Sequence, residues 1–359
     1  MATIRNPINK QTYIDLLPTM QKLVPQYGQI SDSGLFTEIG AKSNFAMYEI
    51  MEGQNVPMTK LTSRTERDAV KVGRGKSKHV TVGGRTIKLV GGVHVEDLQN
   101  VLTTWDIETD ESLQEAIAKE SAAMFNSWSQ SYEYMLLTAA QGKMRDPLDG
   151  TVAIDQFANT GTVQATATID LRSTADALSQ LNALRNQLNT LNGYTYGNVS
   201  LIEVVVADDV MTALQNHPDL YDLYALAMSG RGMEAINNAI LSKTTNRPIR
   251  TQYGYRREFQ WENILFVTYP QTFVRLDGNT ANAVANGKGF TIARGVADAY
   301  EVYFAPAPYF SQLGGVGQKM YARSTGIIDD THIDMTVETH LTPILKRPEL
   351  AIDITFTLI

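Results

Sequence analysis

The side chains that most often carry catalysis or bind metals are few in this sequence of 359 residues. It has five histidines and no cysteine, which excludes a thiol nucleophile, a thiolate metal site and a disulfide. The spacings His94-x-Glu96 and His332-x-Asp334 would each place two ligands on one strand face, but we favour ordinary polar edge residues. No HExxH zinc motif and no GxSxG nucleophile elbow occurs. These patterns predict that the protein is not an enzyme and binds no metal or cofactor.

One tripeptide, Gly75-Lys76-Ser77, resembles the end of a phosphate-binding loop. That motif requires a glycine five residues before Gly75, where this chain has Val70. It also requires a following helix, whereas the residues after Ser77 have the alternating pattern of a strand. The run from Gly314 to Gly317 neither follows a clear strand nor opens a helix, so a dinucleotide site is not predicted either.

The segment from Lys60 to Val90 is strongly basic in a chain of net charge −7. Besides Lys60, its cations are Arg64, Arg67, Lys71, Arg74, Lys76, Lys78, Arg85 and Lys88, against two acids. The segment 89–118 then has no lysine or arginine and seven acids: Glu96, Asp97, Asp106, Glu108, Asp110, Glu111 and Glu115. A basic arm is therefore followed directly by an acidic block.

The second half of the basic arm has the pattern of a β-hairpin. Val80 and Val82 alternate with polar residues before Gly83-Gly84, and Ile87 and Leu89 alternate after it. This pattern predicts a turn at the two glycines, with Val80 opposite Ile87. An isolated two-stranded hairpin is at best marginally stable in water, so its apolar face must lie on another surface. We expect that surface to belong to a second copy of the chain.

Three interpretations of the basic arm remain open. Nucleic-acid binding would use the cations, but no aromatic residue between Leu61 and Thr104 offers a stacking surface, and the whole-chain charge is unfavourable. A solvated loop of this length would be unusual. An intersubunit arm would place the cations from Arg64 to Lys88 against the acidic block of a neighbouring copy. Complementary charge of this kind fixes register and orientation, and we favour this interpretation.

The elements that would carry the arm mix helices and strands without regular alternation, which predicts an α+β fold. The strongest helix pattern covers about 112–141, with Ser112 and Glu115 as a capping box and Gly142 as the stop. Its apolar stripe contains Leu113, Ile117, Met124, Trp128 and Met135. A second helix is expected at about 174–192, a buried strand at 199–207, and a helix capped by Asp208 after it.

Composition places the chain among globular proteins, since 43% of residues are hydrophobic and 19% charged. The length suits one large or two ordinary domains. No run approaches the roughly 20 apolar residues of a membrane helix. The first residues, MATIRNPINKQTY, lack the apolar core of a secretory signal, so none is expected.

The order of these features resembles that of tailed-phage major capsid proteins with the Hong Kong 97-type fold, in particular the lambda-type major head protein family. The stretch NFAMYEIMEGQNVP before the basic segment resembles the entry to the family's E-loop. VSLIEVVVADDVMTAL resembles the first strand and helix of its A-domain. GKGFTIARGVADAYEVYFAP and THIDMTVETHLTPILKRPELAIDITFTL resemble its return to the P-domain and its final strands.

The resemblance implies an N-terminal arm at 1–43 and an extended β-hairpin E-loop at 44–95. It implies a P-domain at 96–194, which includes the long spine helix at about 112–141. It also implies an A-domain at 195–300 and a return to the P-domain at 301–359. Function would be structural: hexamers and pentamers would form an icosahedral virion shell, assembled in the host cytoplasm, that packages double-stranded DNA without binding it sequence-specifically. Expected partners are further copies, a scaffolding protein, a portal and a decoration protein. A nanocompartment shell of the same fold and a non-capsid DNA-binding phage protein remain alternatives.

Overall fold

A computed structural model of the chain describes most of its residues. The described residues are 14–16, 20, 22–52, 76–94, 96, 109–172, 176–192, 201–218, 220, 247–251, 253–261, 264–269, 271–275, 278–296, 298–325, 328 and 331–358. The chain divides into two compact units. The first comprises Met1–Ala46, Val82–Met135 and Val302–Pro343, and the second comprises Met47–Thr81, Leu136–Glu301 and Ile344–Ile359.

Strands outnumber helices in the described part of the chain. The strands are β1 (Ile14–Asp15), β2 (Thr37–Gly40), β3 (Phe45–Glu52), β4 (Lys76–Gly83), β5 (Arg85–His94), β6 (Lys143–Arg145), β7 (Val152–Asp155), β8 (Thr166–Asp170), β9 (Leu201–Val206), β10 (Arg247–Thr251), β11 (Gly254–Trp261), β12 (Ile264–Thr268), β13 (Thr272–Val274), β14 (Thr280–Asn282), β15 (Lys288–Arg294), β16 (Tyr300–Phe304), β17 (Tyr321–Ser324), β18 (His332–Leu345) and β19 (Asp353–Thr357). The α-helices are α1 (Thr109–Ala140), α2 (Gln156–Thr160), α3 (Ala177–Asn192) and α4 (Asp208–Asn216). Short 3-10 helices span Ser31–Ser33, Phe310–Gln312 and Pro348–Leu350. None of the described helices is both long and apolar enough to cross a membrane.

The first unit is built on a six-stranded sheet. Its strand order is β1-β17-β18-β16-β2, and β5 also pairs with β18. The β5 pairing is antiparallel and runs from Arg85 opposite Leu341 to His94 opposite His332. The side chains of Met335, Val337 and Leu341 on β18 are fully buried. The sheet and the aromatic residues of α1 therefore supply the core of this unit.

The prediction of a β-hairpin across Gly83-Gly84 is wrong. β4 pairs with β3 in a separate two-stranded ribbon, while β5 joins the six-stranded sheet, where Ile87 lies opposite Thr339 rather than Val80. The two glycines carry the chain from one sheet to another. Gly84 donates its backbone N–H to Asn44 O at 2.9 Å, and a Cβ at Gly84 would meet the Asn44 side chain at 2.7 Å. Glycine is needed for that close approach rather than for a hairpin turn.

The long helix is confirmed, but it begins three residues before the position the capping box predicted. α1 starts at Thr109, so Ser112 lies inside its first turn and is not the cap. The helix ends at Ala140, and Gly142 has the positive φ of 82° expected of a helix stop. Of the predicted apolar stripe, Met124, Trp128 and Met135 are buried.

The second unit is built on a seven-stranded mixed sheet with the order β10-β11-β12-β9-β15-β19-β8. β12 with β9 and β19 with β8 are parallel pairs, and the other pairs are antiparallel. The predicted helix at 174–192 is α3, whose Leu181, Leu184 and Leu188 are buried in a single core with β9 and β12. The predicted strand at 199–207 is β9. Ala207 caps α4, so Asp208 is its first helical residue and not the cap.

Candidate functional site

The ribbon of β3 and β4 has one covered face and one exposed face. Side chains alternate across a strand, and along β3 Ala46 and Tyr48 are buried while Phe45 and Met47 are 59% and 66% exposed. On β4 the side chains of Val80 and Val82 are buried. The outward face at the base of the ribbon therefore presents two large apolar side chains to solvent, as an unoccupied contact surface would.

The covered face of the ribbon is fastened to α2 within the second unit. The Tyr48 hydroxyl donates to Gln156 Oε1 at 2.9 Å, and Gln156 is fully buried. Burial raises the pKa of Tyr48 to about 12, which keeps its hydroxyl protonated as a donor. The Lys78 ammonium donates to the Thr160 carbonyl oxygen at 3.1 Å. These bonds fix the orientation of the ribbon and leave Phe45 and Met47 outside.

The predicted cations of the basic arm are described only in part. Arg64, Arg67, Lys71 and Arg74 lie outside the described residues, and Lys76 is described by its place on β4 alone. Lys78, Arg85 and Lys88 are described. Lys78 bonds to Thr160 and Lys88 to Glu338 at 3.0 Å, both within the same chain. The proposed intersubunit role therefore rests mainly on the cations from Arg64 to Lys76.

The predicted acidic block is likewise described in part. Asp97, Asp106 and Glu108 lie outside the described residues. Asp110 and Glu111 lie in the first turn of α1, where the helix dipole stabilises negatively charged groups. Glu96 and Glu115 are exposed. Their pairing with a neighbouring arm stays a prediction.

Sequence reasoning missed a buried ionic cluster around Glu338 on β18. Glu338 is buried and contacts Lys88 at 3.0 Å and His340 at 3.4 Å. Burial raises the pKa of Glu338, but the neighbouring Tyr309 hydroxyl, the bonded Lys88 ammonium and the charge of His340 together hold that pKa below its ordinary value of 4.5. Glu338 therefore stays ionised and ties β5 to β18 inside the first unit.

This depressed pKa predicts how acid acts on the first unit. The stabilisation from the Glu338 carboxylate is complete above the pKa of an unfolded glutamate and is lost as pH falls through the lower folded-state pKa. We expect Glu338→Gln to lower the free energy of unfolding at neutral pH by about 1 to 3 kcal/mol. It should also flatten the acid dependence, as measured by urea unfolding between about pH 7 and about pH 3. Glu115→Gln, at an exposed position, is the control, and an acid dependence unchanged by Glu338→Gln would contradict this account.

A second missed feature is the carboxylate of Glu133 on α1, which is fully buried. It accepts hydrogen bonds from the backbone N–H groups of Ile30 at 2.5 Å and Ser31 at 3.0 Å. It thereby holds the N-terminal segment against α1 in the first unit. A sequence signal existed, because Glu133 is the only charged residue in the stretch 121–140. A lone acid in an apolar helix face indicates a buried carboxylate with dedicated donors.

The structure describes most residues of the sequence patterns that could suggest phosphate or metal binding. Lys76 and Ser77 lie in β4, not at the start of a helix, so the resemblance to a phosphate-binding loop is not carried by the structure. His94 stacks on His332 across the β5 and β18 pair, with ring centroids 5.4 Å apart. Across the described ranges, no three histidine or acidic side chains converge on a metal position.

Comparison with known proteins gives the family. The sequence model of phage major capsid protein E matches residues 13–356. The major capsid protein of Salmonella phage Felix O1 is 22% identical over 358 residues, covering 95% of both chains. That of Pseudomonas phage KPP10 is 24% identical over 161 residues, covering 44% of this chain and 43% of its own.

Two solved structures share the fold. A prophage protein of E. coli CFT073, described as a capsid protein, superposes with a TM-score of 0.59 at 10% identity, covering 96% of this chain and 100% of its own. The capsid protein of cyanophage A-1(L) superposes with a TM-score of 0.50 at 13% identity, covering 92% and 95%. The expected α+β fold of the Hong Kong 97 type is thus confirmed. The chain belongs to the phage major capsid protein E family, a family of tailed-phage structural proteins that form the virion capsid and are not enzymes.

Proposed function

We propose that this capsid protein assembles as hexamers and pentamers into a closed icosahedral shell that packages double-stranded DNA. The match of residues 13–356 to the capsid family carries the proposal. The exposed Phe45 and Met47 support it, because a ribbon fastened by Tyr48 on one face and apolar on the other suits a contact with a neighbouring copy.

We assign the parts of the chain to the parts of such a subunit. Residues 1–43 form the N-terminal arm and 44–95 the E-loop. Residues 96–194 and 301–359 form the P-domain, and 195–300 the A-domain. The described structure supports refining two of these bounds. β5 pairs with β18 over its whole length and so belongs with the P-domain sheet, and the A-domain sheet also takes in β8 and β19.

The basic arm docks on another copy in this proposal. Its cations Arg64, Arg67, Lys71, Arg74 and Lys76 face the acidic block from Glu96 to Glu115 of a neighbour, while Phe45 and Met47 bury apolar area at the base of the same ribbon. Burial of the apolar pair supplies affinity at roughly 25 cal/mol per Å² removed from water. The charges set register and orientation.

The net charge of −7 suits a shell that must fill with DNA and empty again. Basic proteins bind DNA through many phosphate contacts, and that binding would resist movement of the duplex through the interior. The shell forms in the host cytoplasm with a scaffolding protein and a portal, and a decoration protein strengthens it afterwards. Its expansion during packaging would move whole subunits and reposition the N-terminal arm and E-loop.

This proposal predicts weak DNA binding by the unassembled protein together with assembly into rings, tubes or shells. Fluorescence anisotropy with labelled duplex DNA measures the first, and sedimentation velocity with negative-stain microscopy measures the second. Tight binding that weakens steeply with salt would favour a DNA-binding protein instead. Shells that enclose protein rather than nuclease-resistant DNA would contradict the packaging role.

A further inference from the structure

The loop from 308 to 317, between β16 and β17, presents an apolar projection to solvent. Phe310 is 100% exposed and Leu313 is 86% exposed. Residues 308–317 contain no charged side chain, so covering this loop would desolvate no charge. An exposed apolar cluster of this kind marks a contact surface more often than a solvated turn. We call residues 308–317 the apolar loop.

The apolar loop is held in one shape. Gln312 N–H donates to Tyr309 O and Gly315 N–H donates to Gln312 O, both at 2.9 Å. Gly317 N–H donates to Ala41 O at 2.8 Å, and a Cβ at Gly317 would lie 1.9 Å from the Phe304 carbonyl oxygen, so the base of the loop is tightly packed. A preformed loop loses little conformational entropy when it binds.

The same unit has an aromatic cavity of about 500 Å³ beside α1. Its walls include Phe125, Trp128, Tyr132, Leu23, Pro25 and Met320. Trp128 stacks between the rings of Phe125 at 5.6 Å and Tyr132 at 5.2 Å, which makes one continuous aromatic wall. Cavities of this size and lining ordinarily hold an apolar group of another molecule.

The apolar loop does not fill the cavity of its own chain. Met320 lines the cavity only a few residues after the loop, yet Phe310 is fully exposed. The projection and the cavity are therefore separate patches on one unit. Complementary patches at different places on one surface produce contacts between copies that close into rings or continue as arrays.

We infer that the Phe310 side chain of one copy inserts into the aromatic cavity of a second copy when the shell assembles. This inference rests on the proposed assembly and adds the surface through which two copies join. The uncharged loop meets an aromatic wall, and ring-on-ring contact of this kind adds to the apolar burial. The occupant is the loop rather than the basic arm, because the cavity lining has no excess of acid: it holds one acid, Asp32, and one cation, Lys319.

The first test replaces Phe310, the most exposed large apolar side chain of the apolar loop. Phe310→Asp should leave the far-ultraviolet circular dichroism and the thermal midpoint of the monomer unchanged, because the side chain is fully exposed. It should reduce the assembled fraction in sedimentation velocity at least tenfold. Val163→Asp is the matched control, since Val163 is 89% exposed and lies in the other unit. Phe310→Asp assembling as the wild type does would overturn the inference.

The second test uses the absence of cysteine from the chain. After assembly, the double variant Phe310→Cys with Leu23→Cys should run as disulfide-linked multimers on a non-reducing gel. Each single variant should run as a monomer on the same gel. If the wild type forms shells but the double variant shows no cross-link, the inference is overturned and the proposed function stands. A cross-link in Phe310→Cys alone would show loop-to-loop contact and also overturn it. If the wild type forms no shells at all, the proposed function and this inference both fail.

Discussion

Replacing Trp128 with alanine should lower the free energy of unfolding by about 3 to 5 kcal/mol. The Trp128 side chain is buried and stacks on Phe125 and Tyr132, and its indole N–H donates to Thr339 Oγ1 on β18 at 2.6 Å. The substitution removes the stacking, opens a cavity and leaves the Thr339 hydroxyl without its donor. Urea unfolding followed by circular dichroism measures the loss.

Two variants separate the terms of this prediction. Trp128→Phe keeps a ring in the aromatic stack but loses the indole donor, so it should cost about 1 to 3 kcal/mol, less than alanine. Ser127→Ala, at an exposed position on the same helix, should change stability by less than about 0.5 kcal/mol. A Trp128→Ala protein as stable as the wild type would show that α1 does not pack on β18 as described.

Reversing the charge of Arg64, Arg67 and Lys71 together should leave the monomer folded and prevent or strongly weaken shell assembly. The three cations lie in the basic arm, and glutamate at each would face the acidic block of a neighbour with the same sign of charge. Like charges brought together at an interface cost several kcal/mol, enough to lower association more than a hundredfold. Sedimentation velocity of the purified protein measures the assembled fraction.

The control for this prediction keeps the charge and changes the side chains. The triple variant Arg64→Lys, Arg67→Lys and Lys71→Arg should assemble nearly as well as the wild type if charge sets the docking. Raising the salt concentration should weaken wild-type assembly, since exposed charges are screened beyond roughly 8 Å at physiological ionic strength. Normal assembly of the charge-reversed variant would refute electrostatic docking of the arm.

Local periodicity predicted the elements whose pattern is complete within one segment. The stripe through Met124, Trp128 and Met135 predicted α1, and the leucines of α3 and the β-branched run of β9 were equally clear. The start of α1 was misplaced because Ser112 has the sequence of a cap but lies within a helix that already begins at Thr109. A capping box indicates a local preference that the surrounding fold can override.

The failed hairpin shows where local patterns stop being informative. The alternation of Val80, Val82 and Ile87 correctly identified side chains that are buried, but a period of two does not say which strand lies alongside. β5 pairs instead with β18, a strand of 14 residues that lies about 250 residues later in the chain and is longer than β4. Pairing at that separation depends on tertiary packing and leaves no signal in the segment itself.

The contacts of individual charged residues were the least predictable part of the candidate site. Lys88 was grouped with the intersubunit cations, yet it bonds to Glu338 on the β18 strand beside it. Its partner depends on the register of β5, which the sequence did not supply. Glu133, in contrast, could have been singled out as the sole charge in an apolar stretch of helix. A single charged residue in an otherwise uncharged stretch of helix is therefore a stronger signal of a specific buried contact than a position within a run of charges.

A side-chain-resolution electron cryomicroscopy reconstruction of the assembled protein tests the central claim most directly, because it shows where each arm lies. We predict a closed shell of hexamers and pentamers in which residues 60–76 of one copy lie within ion-pair distance of the acids between Glu96 and Glu115 of the next copy. Phe45 and Met47 should be buried in the same contact. A protein that stays monomeric under every assembly condition, or a shell in which each basic arm folds back on its own subunit, would contradict the account.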